Sequence, residues 1–280
     1  EEPLDGASGR GVRLGGLDVP DEGEGDVPGG LDLAEERAED GLALLLARAQ
    51  AADPNLEVDG YHARHAARLA RLAEGCPLAL EVLGAAVGRA PLDELVRRFE
   101  RCLDEVRGNG HVRDPLRRAT RAALMSAWEL LGRSRQVNLA KLALFDGDFS
   151  ETAALEVAGV TLTELRGLER GAWVSRAGGG RCVLHRAIRR FVRAKLKALA
   201  WGSGMGSVSI DGVGFRKRFR SHYLGLVSKR AAALVGHTAS GASEEIAGEW
   251  RNVRDAWSGA IVDGDGRWVA NALEGLTRFV

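Results

Sequence analysis

Trp173-Val174-Ser175-Arg176, Ala177-Gly178-Gly179-Gly180 and Arg181-Cys182-Val183-Leu184 read together as a β-hairpin. Two short runs with a period near two are joined by a tip of glycines, which supply left-handed backbone at no steric cost. The stretch decides the fold because everything around it is helical. Asp114-Pro115 supplies an N-cap and a first-turn proline for a helix expected to run through Leu131. A second is expected from about Arg135 to Phe145, and a third after Ser150. A fourth starts at Thr161, where Thr161-x-x-Glu164 has the spacing of a capping box and Val160 and Leu165 that of a hydrophobic staple. Behind the hairpin, Ile188, Phe191, Val192, Leu196 and Leu199 form the apolar stripe of a further helix, which His185 opens. Helices, hairpin, helix is a winged-helix arrangement.

Working toward the N-terminus, Leu42, Leu45, Leu46 and Ala49 keep an i, i+3, i+4, i+7 stripe that runs out at Asp53-Pro54. The next helix carries Tyr61, His65, Leu69 and Leu72 on one face. Gly75-Cys76-Pro77-Leu78-Ala79-Leu80 then joins two helices. Gly75 suits the C′ position, and Pro77 the first position of the following helix, where no N–H is required. Gly88 and Pro91 repeat that punctuation before a helix over Leu92 to Val106, and Asn109-Gly110 marks a break. Residues 1–30, dense in Gly and Pro, read as a linker with one short strand at Val12-Arg13-Leu14. Trp201 to Gly214 reads as a second, Gly/Ser-rich linker. Three more helical stretches follow, near 215–236, 242–262 and 266–280, with Trp250, Trp257 and Trp268 as expected packing anchors of helical hairpins.

The fold class expected is therefore mainly α: a helical bundle over 31–108, a winged helix with one hairpin over 109–200, and an antiparallel helical-hairpin segment over 215–280 after the 201–214 linker. Composition agrees. Hydrophobic residues make up 45%, charged 28% and aromatics only 5% of the 280 residues, the balance of an aliphatic helical protein with a sizeable core. The formal net charge of +0 gives no global field toward nucleic acid or membrane. Locally the charges segregate. Acids dominate Asp18 to Asp40, whereas Arg181 to Lys197 holds Arg181, Arg186, Arg189, Arg190, Arg193, Lys195 and Lys197 and no acid. Such a block reads first as a solvated face, and second as a surface for phosphates or an acidic partner. Cys76, Cys102 and Cys182 have no paired spacing, which suits a reducing cytoplasm. No apolar run reaches membrane-spanning length.

The order of these parts resembles the NB-ARC-containing STAND signal-transduction ATPases, especially bacterial transcriptional regulators that continue into a TPR-like solenoid. Glu2-Pro3-Leu4 and Leu14-Gly15-Gly16-Leu17-Asp18-Val19-Pro20 are similar to the exit from that family's nucleotide domain, and Leu44 to Pro54 to the first helix of its helical ARC subdomain. Gly75-Cys76-Pro77 resembles its GxP motif. Ala127-Trp128-Glu129-Leu130-Leu131 and Leu142 to Phe149 resemble its winged-helix core, Leu184-His185-Arg186 falls on its MHD position, and Trp250 to Trp257 resembles the start of its solenoid.

The resemblance implies a nucleotide cofactor, ADP or ATP with Mg, held mainly by an upstream phosphate-loop domain of the same protein. It implies that Pro77 and Leu78 pack on adenine, that His185 reaches the β-phosphate of ADP, and that Arg186 stands beside it where the family has an acid. It implies a slow ATPase switch for the whole protein, with the C-terminal helices taking a protein partner or self-associating. The chain itself has no Gly-x-x-x-x-Gly-Lys-[Ser/Thr] loop, since its first lysine, Lys141, lies in a helix, so no catalysis is expected from it alone.

Two alternatives compete. A winged helix can bind DNA, but the expected recognition helix, Thr161 to Arg170, carries Glu164 and Glu169 against Arg166 and Arg170, so direct DNA contact is not expected. A helical scaffold for protein–protein interaction is the other. Smaller features read as structural. His62 and His65 lack a third metal ligand, Cys76 is a packed small residue, and Gly202 to Ser207 lacks the setting of a dinucleotide loop.

Overall fold

The structure is a computed structural model that describes residues 15–20, 40–108, 112–201, 212–235 and 239–280, with backbone only over 197–201. The short strand expected at Val12 to Leu14, the Asn109-Gly110 break and the Gly202 to Ser207 stretch lie outside the described residues. The described chain is mainly helical, with one small antiparallel sheet. It divides into two compact units, Glu1–Ala127 and Trp128–Val280.

In the first unit, α1 (Asp40–Ala52) buries Leu42, Leu45, Leu46 and Ala49, the stripe legible in the sequence. It packs chiefly on α3 (Pro77–Ala86). Gly84 permits that approach: a Cβ there would lie 2.5 Å from the Leu45 carbonyl oxygen. Between them in the chain lies α2 (Gly60–Leu72), capped by Asp59, whose carboxylate accepts from the His62 N–H at 2.8 Å. Of the face that carries Tyr61, His65, Leu69 and Leu72, only Leu69 is buried. Ala63, Ala66, Ala67 and Ala70 are buried with Leu69, while Tyr61 stays 42% exposed. Four small side chains let the helix lie close against α1 and α4 (Leu92–Gly108), which outweighs the area that Tyr61 and Leu72 would bury. Helix α4 is amphipathic throughout, with Leu95, Phe99, Cys102 and Val106 inward. Helix α5 (Pro115–Glu129) starts as expected, with Asp114 Oδ1 accepting from the Arg117 N–H at 3.0 Å.

The second unit begins with the end of α5, followed by α6 (Arg133–Leu142), α7 (Glu151–Glu156) and α8 (Leu162–Arg170). Ser150 caps α7, and Thr161 with Glu164 forms the complete capping box at α8. Strands β1 (Ser175–Arg176) and β2 (Cys182–Val183) pair antiparallel, Ser175 opposite Val183 and Arg176 opposite Cys182, and Phe149 bridges Cys182 on the other side. Gly179 and Gly180 turn the tip at φ +69° and +73°. Trp173 is fully buried beneath the hairpin, edge-on to Trp128.

Helix α9 (Arg186–Trp201) follows, then α10 (Gly212–Arg230), α11 (Ala239–Val262) and α12 (Gly266–Phe279). The ends of the expected 201–214 linker are therefore helical, Trp201 in α9 and 212–214 in α10. The tryptophans of this region are only half-buried, and Trp250 packs on Phe279 at its edge. The packing centre is instead Phe215, Phe219, Tyr223, Leu224 and Val227 of α10, with Ile246, Val253, Ala256 and Ala260 of α11. Phe145 stands edge-on to Phe215, 5.7 Å between ring centroids, and stacks on Phe149 at 4.8 Å. One aromatic cluster thus joins α10 to the turn after α6. Offset and edge-on ring pairs add about 0.5–1.5 kcal/mol each to their burial.

Candidate functional site

The Pro77 corner is built on two backbones in close approach. Helix α2 ends in a Schellman motif: the Glu74 N–H bonds Arg71 O at 2.9 Å and the Gly75 N–H bonds Ala70 O at 3.3 Å. Glu74, at φ +53°, occupies C′, so Gly75, at φ +61°, is the C″ residue and not the expected C′. Glycine is needed at 75 because Leu17 lies against it. The Leu17 N–H donates to Gly75 O at 2.8 Å, and a Cβ on Gly75 would sit 2.0 Å from Leu17 O. A Cβ on Gly16 would likewise sit 2.0 Å from Glu74 O. Cys76 is the N-cap residue of α3 in extended conformation and is buried, with Sγ 3.1 Å from Thr120 Oγ1. Thr120 spends its own proton on Leu116 O at 2.8 Å, so the thiol is the donor to it. Pro77 takes the first helical position and is exposed, Leu78 is half-buried, and Ala79 and Leu80 point into the core. The corner offers a rigid apolar ring beside a helix start to which Cys76 gives no side-chain cap.

The His185 corner belongs to the second unit, so it is a separate feature. Leu184 is buried behind the hairpin, while His185 and Arg186 are exposed. His185 precedes α9 as its capping residue rather than lying within the first turn. Its carbonyl accepts from the Arg189 N–H at 3.0 Å and its Nδ1 from the Ala187 N–H at 3.2 Å. A ring nitrogen that accepts carries no proton, so the neutral imidazole holds its proton on Nε2, free of the cap. Arg186 places a cation in the first turn, where the helix dipole disfavours one. Both features suit an anion at this helix start. Among the described residues, no three His, Cys, Asp or Glu side chains gather where they could share a metal ion. His62 Nδ1 instead contacts Asp59 Oδ1 at 2.5 Å, and His65 Nδ1 contacts Tyr61 O at 2.9 Å.

Three arginines of the basic run, Arg181, Arg189 and Arg193, are turned to protein groups, while Arg186 and Arg190 are exposed. Arg189 donates to the carbonyls of Asp146 and Gly147, and Arg193 to those of Ala143 and Leu144 and to Asp146 Oδ1. These are carbonyls after the end of α6 that have no helical partner. Arg181, in the hairpin, grips Glu249 of α11 through both terminal nitrogens, at 2.5 and 2.9 Å, and Asp148 through Nε at 2.8 Å. Asn252 closes the group, donating to Asp148 O at 2.7 Å. Hydrogen bonding to Glu249 leads in holding Arg181 more firmly protonated than a free arginine. Burial acting alone would raise Asp148, but the bond and charge of Arg181 outweigh it and hold that carboxyl below its ordinary value. Burial pushes the nearby Tyr223 hydroxyl upward and the Cys182 thiol up to about 11. The sequence displays the arginines, but their partners lie up to 68 positions away, beyond any local pattern.

No helix among the described residues is long and apolar enough to cross a membrane. Comparison with family models, curated proteins and solved structures gives no match.

Proposed function

We propose that this chain is the nucleotide-sensing portion of a STAND-class signal-transduction ATPase, of the NB-ARC, bacterial-regulator kind, working in the cytoplasm. The observation that carries the reading is the cap at α9: Nδ1 of His185 is occupied by the Ala187 N–H, which leaves Nε2–H exposed as a donor at a helix start. In this reading the partner is a phosphate-loop domain that holds ADP or ATP with Mg. His185 and Arg186 give their donors to the diphosphate, and Pro77, with Leu78 behind it, lays its ring on the purine. ADP then favours one of two conformations because only that one completes these contacts. The C-terminal helices receive the input from a protein partner or a second copy.

Against a DNA-binding reading, Glu164 of α8 is locked in the capping box and the Arg189 and Arg193 side chains are spent on protein carbonyls. The test is ADP retention in the polypeptide joined to its phosphate-loop domain, for His185→Asn and Pro77→Ala. Asparagine can still cap the helix but shortens the reach to phosphate. Faster ADP release is the expected result, and unchanged release overturns the assignment.

A further inference from the structure

Residues 143–148, the turn after α6, are held by α9 on one side and α11 on the other. From α9, Arg189 and Arg193 bind the turn's carbonyls and Asp146. From α11, the stem of Arg251 crosses Gly147, where an added Cβ would lie 3.3 Å from Arg251 Cδ. A polar cavity of about 360 Å³ opens at this seam, lined by Asp146, Arg251, Arg254, Asp255 and Ser258.

The two arginines of the lining are left without close counter-charges. The lining itself sets Arg251 and Arg254 against Asp146 and Asp255, but Asp146 is already paired with Arg193 from α9 at 2.7 Å. Among the described residues, neither Arg251 nor Arg254 has an ion-pair partner. They stand three positions apart on one face of α11, a spacing at which like charges repel. Nε of Arg189 is buried and makes no hydrogen bond. Burial, then the charges of Arg193 and Arg251, put Arg189 below the ordinary arginine value, so its charge is held against resistance. Asp255 is exposed as a residue, yet desolvation of its carboxyl, then the charge of Asp146, raise its value. Proton uptake would turn it from a repelling group into a donor.

We propose that this seam is a binding site for a small phosphate-bearing ligand, gripped by Arg251 and Arg254 with the Ser258 hydroxyl as a further donor. Guanidinium forks match the geometry of phosphate oxygens. The cavity volume exceeds that of an inorganic phosphate and leaves room for a small organic group. A bound phosphate would tie α11 to the α6–α9 turn, beside the Arg181–Glu249 pair. The site shares no residue with the Pro77 and His185 corners and does not depend on their reading.

The test is thermal stability and calorimetric binding of the full chain, titrated with inorganic phosphate and, separately, with glycerol 3-phosphate, against chloride at matched ionic strength. Saturable stabilisation by either phosphate is expected, and which of the two binds identifies the natural form of the group. Arg251→Gln and Arg254→Gln should each weaken binding by roughly tenfold or more, since each removes a charge-assisted contact. Both side chains are exposed, so the melting point without phosphate should hold. Arg190→Gln, on α9 outside the cavity, should leave binding unchanged. No stabilisation beyond chloride, or equal binding by the double Arg251→Gln/Arg254→Gln variant, overturns the proposal.

Discussion

Arg181 and Glu249, 68 positions apart, meet through two parallel hydrogen bonds of 2.5 and 2.9 Å that fasten the winged-helix hairpin to α11. The side chains are only 20% and 11% exposed, so this is an ion pair with little solvent screening. Helices α10 to α12 therefore belong to the same compact unit as the winged helix.

Removing one partner strands the other. Arg181→Met should destabilise the protein by about 2–3 kcal/mol, and Glu249→Gln by less, because an amide still accepts one bond. Replacing both at once should cost less than the sum of the two. Chemical denaturation of the three variants in a double-mutant cycle measures this coupling.

Acid should loosen the same connection. The Asp148 carboxyl has a folded-state value below its ordinary 3.8, so the native state binds the proton more weakly than the unfolded chain. Its contribution is full above about the ordinary value and is lost as pH falls through the lowered one. A stability profile from pH 6 to pH 2 should fall through this window, and Asp148→Asn should flatten the fall.

The Gly75 corner predicts a steep cost for one methyl group. Gly75→Ala demands a left-handed alanine, worth about 1–2 kcal/mol alone, and sets its Cβ 2.0 Å from Leu17 O. The variant should lose more than that strain and should show early hydrogen exchange at the Leu17 amide. Gly60→Ala, with open space around the position, is the matched control and should change little.

These features also mark how far the sequence could be read. Helix caps were legible because the groups involved are close along the chain: Thr161 with Glu164, Asp114 with Pro115, Ser150 with α7. The hairpin was legible from its glycines and its period, and the α1 stripe from its leucines. The face of α2 was not, because four alanines carry little hydrophobic weight yet decide how closely helices approach. The tryptophans of the C-terminal helices misled for the opposite reason: their size suggests a centre, but they stay half-buried, and Phe215 and Phe219 of α10 are buried against Phe145 instead. The fates of Arg181, Arg189 and Arg193 were hidden, since a guanidinium looks the same in sequence whether it faces water or a carbonyl 50 residues away. At the candidate nucleotide contacts, the helix-start setting of Pro77 was legible, whereas the capping bond that fixes the His185 tautomer was not.

The most direct test of the nucleotide-sensing account is the ADP release rate of the polypeptide carrying the phosphate-loop domain, with His185 replaced by asparagine. The account predicts release faster by roughly tenfold, the worth of one hydrogen bond to a charged oxygen, with an unchanged melting point of the nucleotide-free protein. Release at the wild-type rate would contradict it and leave His185 as a helix cap alone.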